Sequence, residues 1–153
     1  MKRTVLCFVF DRVNDSLLMI HKKRGQGAGK WNVPGGKIQA SESELDAAIR
    51  ETQEETGITP KNLAAIGELE FYFPSGNHWE NHCTVYRAGS FSGALISESE
   101  ECSARWVPVK EIPFEKLWDS DRLWLPLVLE GKEFRRSYVF DENDRVTEEK
   151  ITS

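Results

Sequence analysis

Acidic side chains are concentrated between residues 36 and 58. This segment carries five glutamates and one aspartate, and Glu54 and Glu55 follow Glu51 by three and four residues. Such spacings place the three carboxylates on one face of an α-helix, where each like-charged pair costs roughly 0.2–0.5 kcal/mol. Divalent cations such as Mg²⁺ take oxygen ligands and would offset this repulsion. The pattern fits a site for hard divalent cations, but a solvent-exposed acidic helix with Asp46–Arg50 and Arg50–Glu54 pairs is the commoner reason for a glutamate-rich helix.

A helix over roughly residues 42–56 is predicted to carry these carboxylates. Ser41 and Glu44 have the spacing of an N-terminal capping box, and Gly57 suits the left-handed position that ends a helix. The predicted core-facing flank consists of Leu45, Ile49, Thr52 and Thr56. The predicted acidic flank consists of Glu44, Ala47, Ala48, Glu51, Glu54 and Glu55.

The rest of the chain contains short apolar runs that predict strands, separated by polar or glycine-rich segments. The predicted strands cover residues 5–10, 17–20, 69–73, 83–86, 105–108, 134–140 and 145–151. Residues 24–37 hold five glycines and one proline, and are predicted to form a loop. A second helix is predicted over residues 118–131, with Asp119 or Ser120 as its cap. This order indicates an α/β sandwich with a mixed β-sheet, and it is too irregular for a βαβ dinucleotide-binding fold.

Composition narrows the class of protein. A chain of 153 residues with 39% hydrophobic residues is expected to form one globular domain over residues 1–153. Its formal net charge of −5 argues against a broad nucleic-acid-binding surface. The three cysteines lack metal-ligand spacing, and the first apolar run is too short for a signal peptide or a membrane span. We expect a cytoplasmic protein with no nucleic-acid or membrane partner, and the oligomeric state stays open, a monomer included.

The acidic segment resembles the signature of the Nudix hydrolases. That signature fixes a glycine, a glutamate, an arginine–glutamate pair, a glutamate pair, and a glycine followed by an apolar residue. The matching positions are Gly36, Glu42, Arg50, Glu51, Glu54, Glu55, Gly57 and Ile58. Thr52 departs from the pattern, because the family usually carries an aliphatic residue there. Eight fixed positions over 23 residues make the match specific, and the resemblance implies a Nudix fold, an α/β/α sandwich.

The resemblance also implies a metal site for Mg²⁺, with Mn²⁺ as a substitute. The implied ligands are the carbonyl of Gly35 and the carboxylates of Glu51, Glu54, Glu55 and Glu101. Glu98 and Glu100 compete with Glu101 for its role, because all three lie in one glutamate-rich loop. Bound cations would neutralise a polyphosphate and activate water, which would let a net-acidic protein bind an anion.

Catalytic roles are implied for Glu51, Glu54, Glu55 and Arg50. Glu51 and Glu55 are both candidates for the general base, whereas Arg50 is expected to anchor a glutamate of the signature through a charge-assisted hydrogen bond. Lys22 and Lys37 flank the signature and are expected to assist phosphate binding. The neighbouring glycines do not form a Walker phosphate loop, because that motif needs other residues at its two ends.

Outside the signature, two segments resemble one branch of the family, the animal-type oxidised purine nucleoside triphosphatases related to MutT. They are residues 22–32 and 112–126. The implied base pocket consists of Asn32, Phe71, Phe73, Trp118, Asp119 and Asp121. Two departures affect base recognition: Gln26 replaces an aromatic residue, and Ser120 replaces the first of two adjacent acids, with Asp119 standing before it.

The sequence therefore predicts a Mg²⁺-dependent nucleoside triphosphate pyrophosphohydrolase that releases a nucleoside monophosphate and pyrophosphate. Oxidised purine (d)NTPs such as 8-oxo-dGTP or 2-hydroxy-dATP are the expected substrates. One alternative keeps the chemistry but takes a dinucleoside polyphosphate, a nucleotide sugar or 5′-triphosphorylated RNA as substrate. The other alternative is a non-catalytic, nucleotide-sensing Nudix module.

Overall fold

The computed structural model describes residues 1–152. In chain order, the first half of this region contains β1 (Lys2–Phe8), β2 (Phe10–Asp11), β3 (Ser16–Lys22), β4 (Trp31–Asn32), β5 (Gly35–Lys37), α1 (Glu44–Thr56) and β6 (Thr59–Tyr72). The second half contains β7 (Asn81–Ser92), β8 (Cys102–Pro108), α2 (Asp121–Leu129), β9 (Phe134–Phe140) and β10 (Val146–Ile151). Two short 3₁₀ turns, Val109–Glu111 and Phe114–Lys116, connect β8 to α2.

The strands form two sheets. The larger has the order β10-β9-β6-β7-β1-β5 and is mixed, because β6 with β9 and β7 with β1 are parallel whereas its other pairs are antiparallel. In the smaller sheet β3 pairs with β8 on one edge and with β2 and β4 on the other, all antiparallel. The expected α/β sandwich with a mixed sheet is confirmed.

Alternation along β1 divides the core into two parts. Val5, Cys7 and Val9 pack with residues of α1 in one apolar cluster, whereas Phe8 belongs to the larger cluster that includes residues of α2. Such division follows from the strand geometry, since successive side chains point to opposite faces of a sheet. Within residues 1–152, no helix is both long and apolar enough to span a membrane.

The start of α1 differs from the predicted one. The N-cap is Ser43, whose hydroxyl accepts a hydrogen bond from the Asp46 N–H at 3.1 Å, and not Ser41. Glu42 is occupied elsewhere, because it accepts from the N–H of Gln39 and binds Arg50. The predicted end is confirmed: Gly57 has φ +78°, and its N–H donates to the carbonyl of Gln53.

The buried face of α1 also differs from the prediction. Leu45, placed in the core by its periodicity, is 41% exposed, whereas Ala47 and Ala48 of the supposed acidic flank are fully buried. The helix lies over β1 and the glycine backbone of β5, where small side chains permit a close approach. Close packing therefore selected the alanines over the larger Leu45.

Strand boundaries were predicted unevenly. The run 5–10 is split between β1 and β2, and the glycine-rich segment predicted as a loop contains the short strands β4 and β5. Strands β6 and β7 extend well beyond residues 69–73 and 83–86. They pair with each other over most of their length, so tertiary pairing extends them through sequence that has little apolar alternation. Helix α2 begins at Asp121 after Ser120, whose side chain makes no capping hydrogen bond.

Candidate active site

Strand β5 brings the backbone of two glycines against the acidic helix. A Cβ atom on Gly35 would lie 2.1 Å from the carbonyl oxygen of Val5, and one on Gly36 would lie 2.6 Å from the Cδ atom of Glu51. Neither position has room for a side chain in this arrangement. The glycines thus allow β5 to pair with β1 while the carboxylates of α1 approach the strand from the other side.

Glu55 is the most buried carboxylate of the predicted metal set, at 9% exposure. Its Oε1 atom accepts a hydrogen bond from the N–H of Gly35 at 2.9 Å. Burial raises the pKa of Glu55 to about 8, and the negative charges of Glu51 and Glu101 add to this effect. The Gly35 N–H and the charge of Lys22 act in the opposite direction. Glu55 is therefore a buried carboxyl group with too little positive charge around it.

Arg50 holds three glutamates together. It donates two hydrogen bonds to Glu42, at 2.6 and 2.9 Å, and further ones to Glu51 at 2.8 Å and Glu54 at 3.2 Å. It also donates to the carbonyl oxygen of Lys37. These bonds lower the pKa of Glu42 to about 2, whereas burial raises the pKa of Glu51. Arg50 thus positions Glu51 and Glu54 and has little capacity left for a substrate.

The predicted ligands share a site without forming a finished coordination shell. Within residues 1–152, no three side chains of His, Cys, Asp or Glu are arranged to hold a metal ion. Glu54 is 59% exposed, while Glu51 and Glu55 are engaged by Arg50 and Gly35. The chemistry of the donors still fits Mg²⁺ or Mn²⁺, because they are hard oxygen atoms and the buried Glu55 carboxyl lacks a compensating charge.

The glutamate-rich loop before β8 supplies weaker candidates. Glu101 is exposed and forms an ion pair with Arg24, while Glu98 pairs with Lys23 at 2.8 Å. Glu100 is exposed. The negative charge of Glu101 contributes to the raised pKa of Glu55. To bind a metal beside the carboxylates of α1, Glu101 would have to give up its ion pair with Arg24.

A cavity of about 130 Å³ adjoins this site. Six of the predicted substrate-binding residues line it: Lys22, Asn32, Phe71, Phe73, Trp118 and Asp121. Gly35 and Gly36 line it too, so the cavity and the acidic helix meet at β5. Most of the lining is apolar or aromatic, with a few polar groups, as in sites for flat organic ligands.

Aromatic rings form one wall of this cavity. The Phe73 ring stacks on Phe140 with centroids 4.8 Å apart, and Trp118 meets Phe73 edge to face at 5.8 Å. Phe71 lies 6.0 Å from Phe140. These contacts fix the orientation of Trp118, whose other neighbours are the His78 ring, with centroids 5.1 Å apart, and Lys30, whose Nζ atom lies 5.2 Å from the ring centre.

Comparison with known proteins agrees with the geometry. Residues 1–128 match the NUDIX domain. The chain belongs to the Nudix family. It is 39% identical over 135 residues to the oxidized purine nucleoside triphosphate hydrolase of Danio rerio, covering 88% of this chain and 85% of that protein. Its identity to the protein of the same name from Mus musculus is 37%, with coverage of 85% and 82%. The crystal structure of the mutator MutT protein from Bacillus halodurans superposes with a TM-score of 0.86 at 26% identity, covering 99% and 98% of the two chains.

Asp121 is the acidic residue of the cavity in this Nudix domain. It is 4% exposed, and its Oδ2 atom accepts a hydrogen bond from the backbone N–H of Trp118 at 3.3 Å. Burial raises the pKa of Asp121 to about 7, and the charge of Lys30 lowers it only in part. Asp121 can therefore both donate and accept hydrogen bonds near neutral pH.

Two residues predicted to bind substrate lie outside the cavity lining. Asp119 accepts a hydrogen bond from the N–H of Val146 at 2.8 Å and another from Arg122, so it joins α2 to the final hairpin instead of facing the cavity. Lys37 is exposed, and its Nζ atom lies 4.0 Å from the ring centre of Trp79. The sequence could not reveal these partners, because both arrive from distant segments.

Several residues that line the cavity were missed by sequence reasoning. They are Gln26, Trp79, Asn81, Trp124 and Phe140, together with Thr4, Cys83, Val33 and apolar residues of β1 and β3. Of these residues, only Gln26 could have been found from the sequence, because it replaces an aromatic residue of the related nucleoside triphosphatases. Asn81 accepts a hydrogen bond from the hydroxyl of Thr4 at 2.9 Å, a partner 77 positions away.

Proposed function

We propose that this Nudix protein is a Mg²⁺-dependent pyrophosphohydrolase that converts oxidised purine (d)NTPs, such as 8-oxo-dGTP or 2-hydroxy-dATP, to monophosphates and pyrophosphate. Hydrolysis adds one water across a phosphoric anhydride bond of the triphosphate. The observation that carries the proposal is the junction at β5, where Gly35 and Gly36 line the aromatic cavity and also contact Glu55 and Glu51. A base held in the cavity would direct its phosphates toward the glutamates.

The metal ligands in this proposal are the Gly35 carbonyl and the carboxylates of Glu51, Glu54, Glu55 and Glu101. When bound, Mg²⁺ would supply charge neutralisation of the polyphosphate and an activated water. Glu51 and Glu55 remain the two candidates for the general base, and Arg50 orients Glu51 through its hydrogen bond. Lys22 lines the cavity, which supports the proposal that its ammonium group binds the phosphates.

Recognition of the base is assigned to Trp118, Asn32 and Asp121. Stacking of a base on an aromatic ring contributes roughly 1–3 kcal/mol in comparable sites. The Oδ1 atom of Asn32 accepts a hydrogen bond from the Val33 N–H, which directs its amide donors away from that bond. With the titratable carboxyl of Asp121, the cavity offers both donors and acceptors to a purine edge.

The names of the vertebrate relatives support this substrate class, since both act by name on oxidised purine nucleoside triphosphates. A small nucleotide is thus the proposed partner, without a nucleic acid, because the net charge is −5. A cytoplasmic location is part of the proposal and is supported by three buried cysteines in the thiol form, which suit a reducing compartment.

A substrate panel tests the proposal. The protein is incubated with Mg²⁺ and canonical or oxidised (d)NTPs, and with a dinucleoside polyphosphate, a nucleotide sugar and 5′-triphosphorylated RNA. Pyrophosphate and monophosphate are measured, with excess EDTA as a blank. We expect the highest kcat/KM with an oxidised purine triphosphate. Preference for another compound would replace the substrate class, and nucleotide binding without turnover of any compound would indicate a sensing module.

A pair of tryptophan variants links the preference to the cavity. Trp118→Leu removes the ring that faces the ligand and is expected to raise KM for the preferred substrate by about tenfold or more. Trp106→Leu is the matched control, because Trp106 packs on Phe91 in the other apolar cluster. Equal effects of the two changes on KM would remove Trp118 from the proposed binding site.

A further inference from the structure

Gln26 lies on the turn that connects β3 to β4, in a backbone conformation that is well defined. The glycines on either side have left-handed φ angles, +80° for Gly25 and +85° for Gly27. The carbonyl oxygen of Gln26 accepts a hydrogen bond from the Lys22 Nζ atom at 2.9 Å. Gln26 is also one of the residues that line the cavity.

The turn is also in contact with Trp118. A Cβ atom on Gly27 would lie 3.1 Å from the indole Nε1 atom of Trp118, so the backbone beside Gln26 touches the edge of the ring assigned to base stacking. Gly27, the neighbour of Gln26, therefore lies beside the ring that is proposed to stack on the base.

The side-chain oxygen of Gln26 has no partner in the protein. Its Oε1 atom is inaccessible to solvent and makes no hydrogen bond. Buried amide oxygens almost always accept at least one hydrogen bond, so an unpaired one in a side chain that lines a cavity favours a partner that a ligand supplies once the Gln26 side chain has turned toward it. Such a partner must be a donor, because a carbonyl oxygen can only accept.

We propose that Gln26 is a specificity-determining residue, whose side-chain oxygen accepts a hydrogen bond from an N–H group on the substrate base. This inference rests on the proposed function. Within residues 1–152, Asp121 is the only acidic residue that lines the cavity, and Asp119 is bound to the last hairpin. Beside the titratable carboxyl of Asp121, Gln26 thus provides a second acceptor, which remains uncharged at every pH. The base must donate a hydrogen bond to each of these acceptors that it contacts.

The test compares Gln26→Met with the wild type on 8-oxo-dGTP, on dGTP, which lacks the N7–H, and on 8-oxo-dITP, which lacks the exocyclic amine. Methionine keeps the length of the side chain and removes the acceptor. We expect kcat/KM for 8-oxo-dGTP to fall about 10–100-fold, mainly through KM. If the bonded donor is the N7–H, kcat/KM for dGTP should fall much less; if it is the exocyclic amine, kcat/KM for 8-oxo-dITP should fall much less. Gln39→Met is the matched control, since Gln39 is exposed.

Two further measurements separate recognition from folding and from catalysis. Gln26→Glu keeps acceptor oxygens at the same length and is expected to retain more of the preference than Gln26→Met. Titration calorimetry with 8-oxo-dGMP in EDTA measures binding without turnover, and Gln26→Met should weaken it by a similar factor. Thermal denaturation should show no loss of stability in Gln26→Met, because the change removes an unpaired polar atom.

The outcomes distinguish this inference from the proposed function. If the wild type hydrolyses 8-oxo-dGTP and Gln26→Met keeps the wild-type ratios among the three substrates, the role of Gln26 is refuted and the function stands. If the wild type hydrolyses none of the three substrates, the proposed function is refuted. The binding titration with 8-oxo-dGMP then tests the role of Gln26 independently. Equal losses in Gln26→Glu and Gln26→Met would also contradict an acceptor role.

Discussion

The N–H of Gly35 donates a hydrogen bond to the Oε1 atom of Glu55 across 2.9 Å, and this bond joins the strand that lines the cavity to the helix that carries the carboxylates. Glu55 is 9% exposed, so the contact is shielded from water. Once a bound cation keeps Glu55 ionised, this hydrogen bond is stronger than one between neutral groups. The bond fixes the position of Glu55, a proposed metal ligand, relative to the base pocket.

Replacement of Glu55 by Gln should separate stability from activity. The amide keeps the size and can still accept from Gly35, but it loses the buried negative charge that a cation would offset. We expect Mg²⁺-dependent pyrophosphate release to fall at least about 100-fold and Tm to stay the same or rise. Enzyme assays measure pyrophosphate release, thermal denaturation measures Tm, and a Mn²⁺ titration measures metal binding. Glu133→Gln, at an exposed position, is the control, and retained Mn²⁺ binding in Glu55→Gln would exclude it as a ligand.

The two glycines of β5 should respond differently to alanine. In Gly35→Ala the new methyl group would meet the backbone of Val5 at 2.1 Å, so the strand must move, and we expect a loss of roughly 1–3 kcal/mol in the free energy of unfolding. In Gly36→Ala it would meet the carboxyl end of Glu51, which can rotate away. This variant should stay folded but lose activity. Denaturant unfolding and pyrophosphate assays test the pair, and equal destabilisation of both would contradict this difference.

The buried carboxyl of Asp121 should make stability depend on pH. Its pKa is raised from 3.8 to about 7 by burial, so the folded state binds its proton more tightly than the unfolded state does. The contribution is fully present below pH 4 and is lost as the pH rises through 7, by up to about 1.4 kcal/mol for each pH unit. Asp121→Asn lacks this titration.

The measurement for Asp121 is the free energy of unfolding of both proteins between pH 4 and pH 8. The wild type should lose stability relative to Asp121→Asn as the pH rises, because only the wild type must bury a charge above pH 7. The difference between the two free energies of unfolding removes the contribution of groups that titrate identically in both proteins. A constant difference across this range would show that Asp121 titrates normally in the folded protein.

Arg50→Lys tests whether the guanidinium acts by positioning. Lysine keeps the charge but cannot bind Glu42 through two nitrogens while also holding Glu51 and Glu54. We expect a lower Tm and a roughly 10–100-fold weaker apparent affinity for Mg²⁺, with a smaller change in KM for the nucleotide. Arg122→Lys is the control, as Arg122 makes one long bond to Asp119 at 3.4 Å. A dominant change in nucleotide KM would instead indicate that Arg50 contacts the substrate.

The base pocket was accessible to sequence reasoning only in part. Trp118, Phe73 and Asp121 were predicted from the family resemblance, which covers most of the chain, and all three line the cavity. Asp119 was predicted with them, but the N–H of Val146, 27 positions further on, binds its side chain. Local sequence around Asp119 carries no information on that hairpin. Phe140 lies on β9 and reaches the cavity through the parallel pairing of β9 with β6, which no local pattern encodes.

The family, the fold class and the acidic helix with its end at Gly57 could all be predicted from the sequence. They depend on local spacing and on the conformational freedom of glycine, which are properties of short segments. Two other features became visible only in the folded protein: Ala48, and not Leu45, faces the core, and Gln26 lines the base cavity. Packing and burial depend on residues that meet from distant parts of the chain, so they are fixed only when the sheets and the helices have come together.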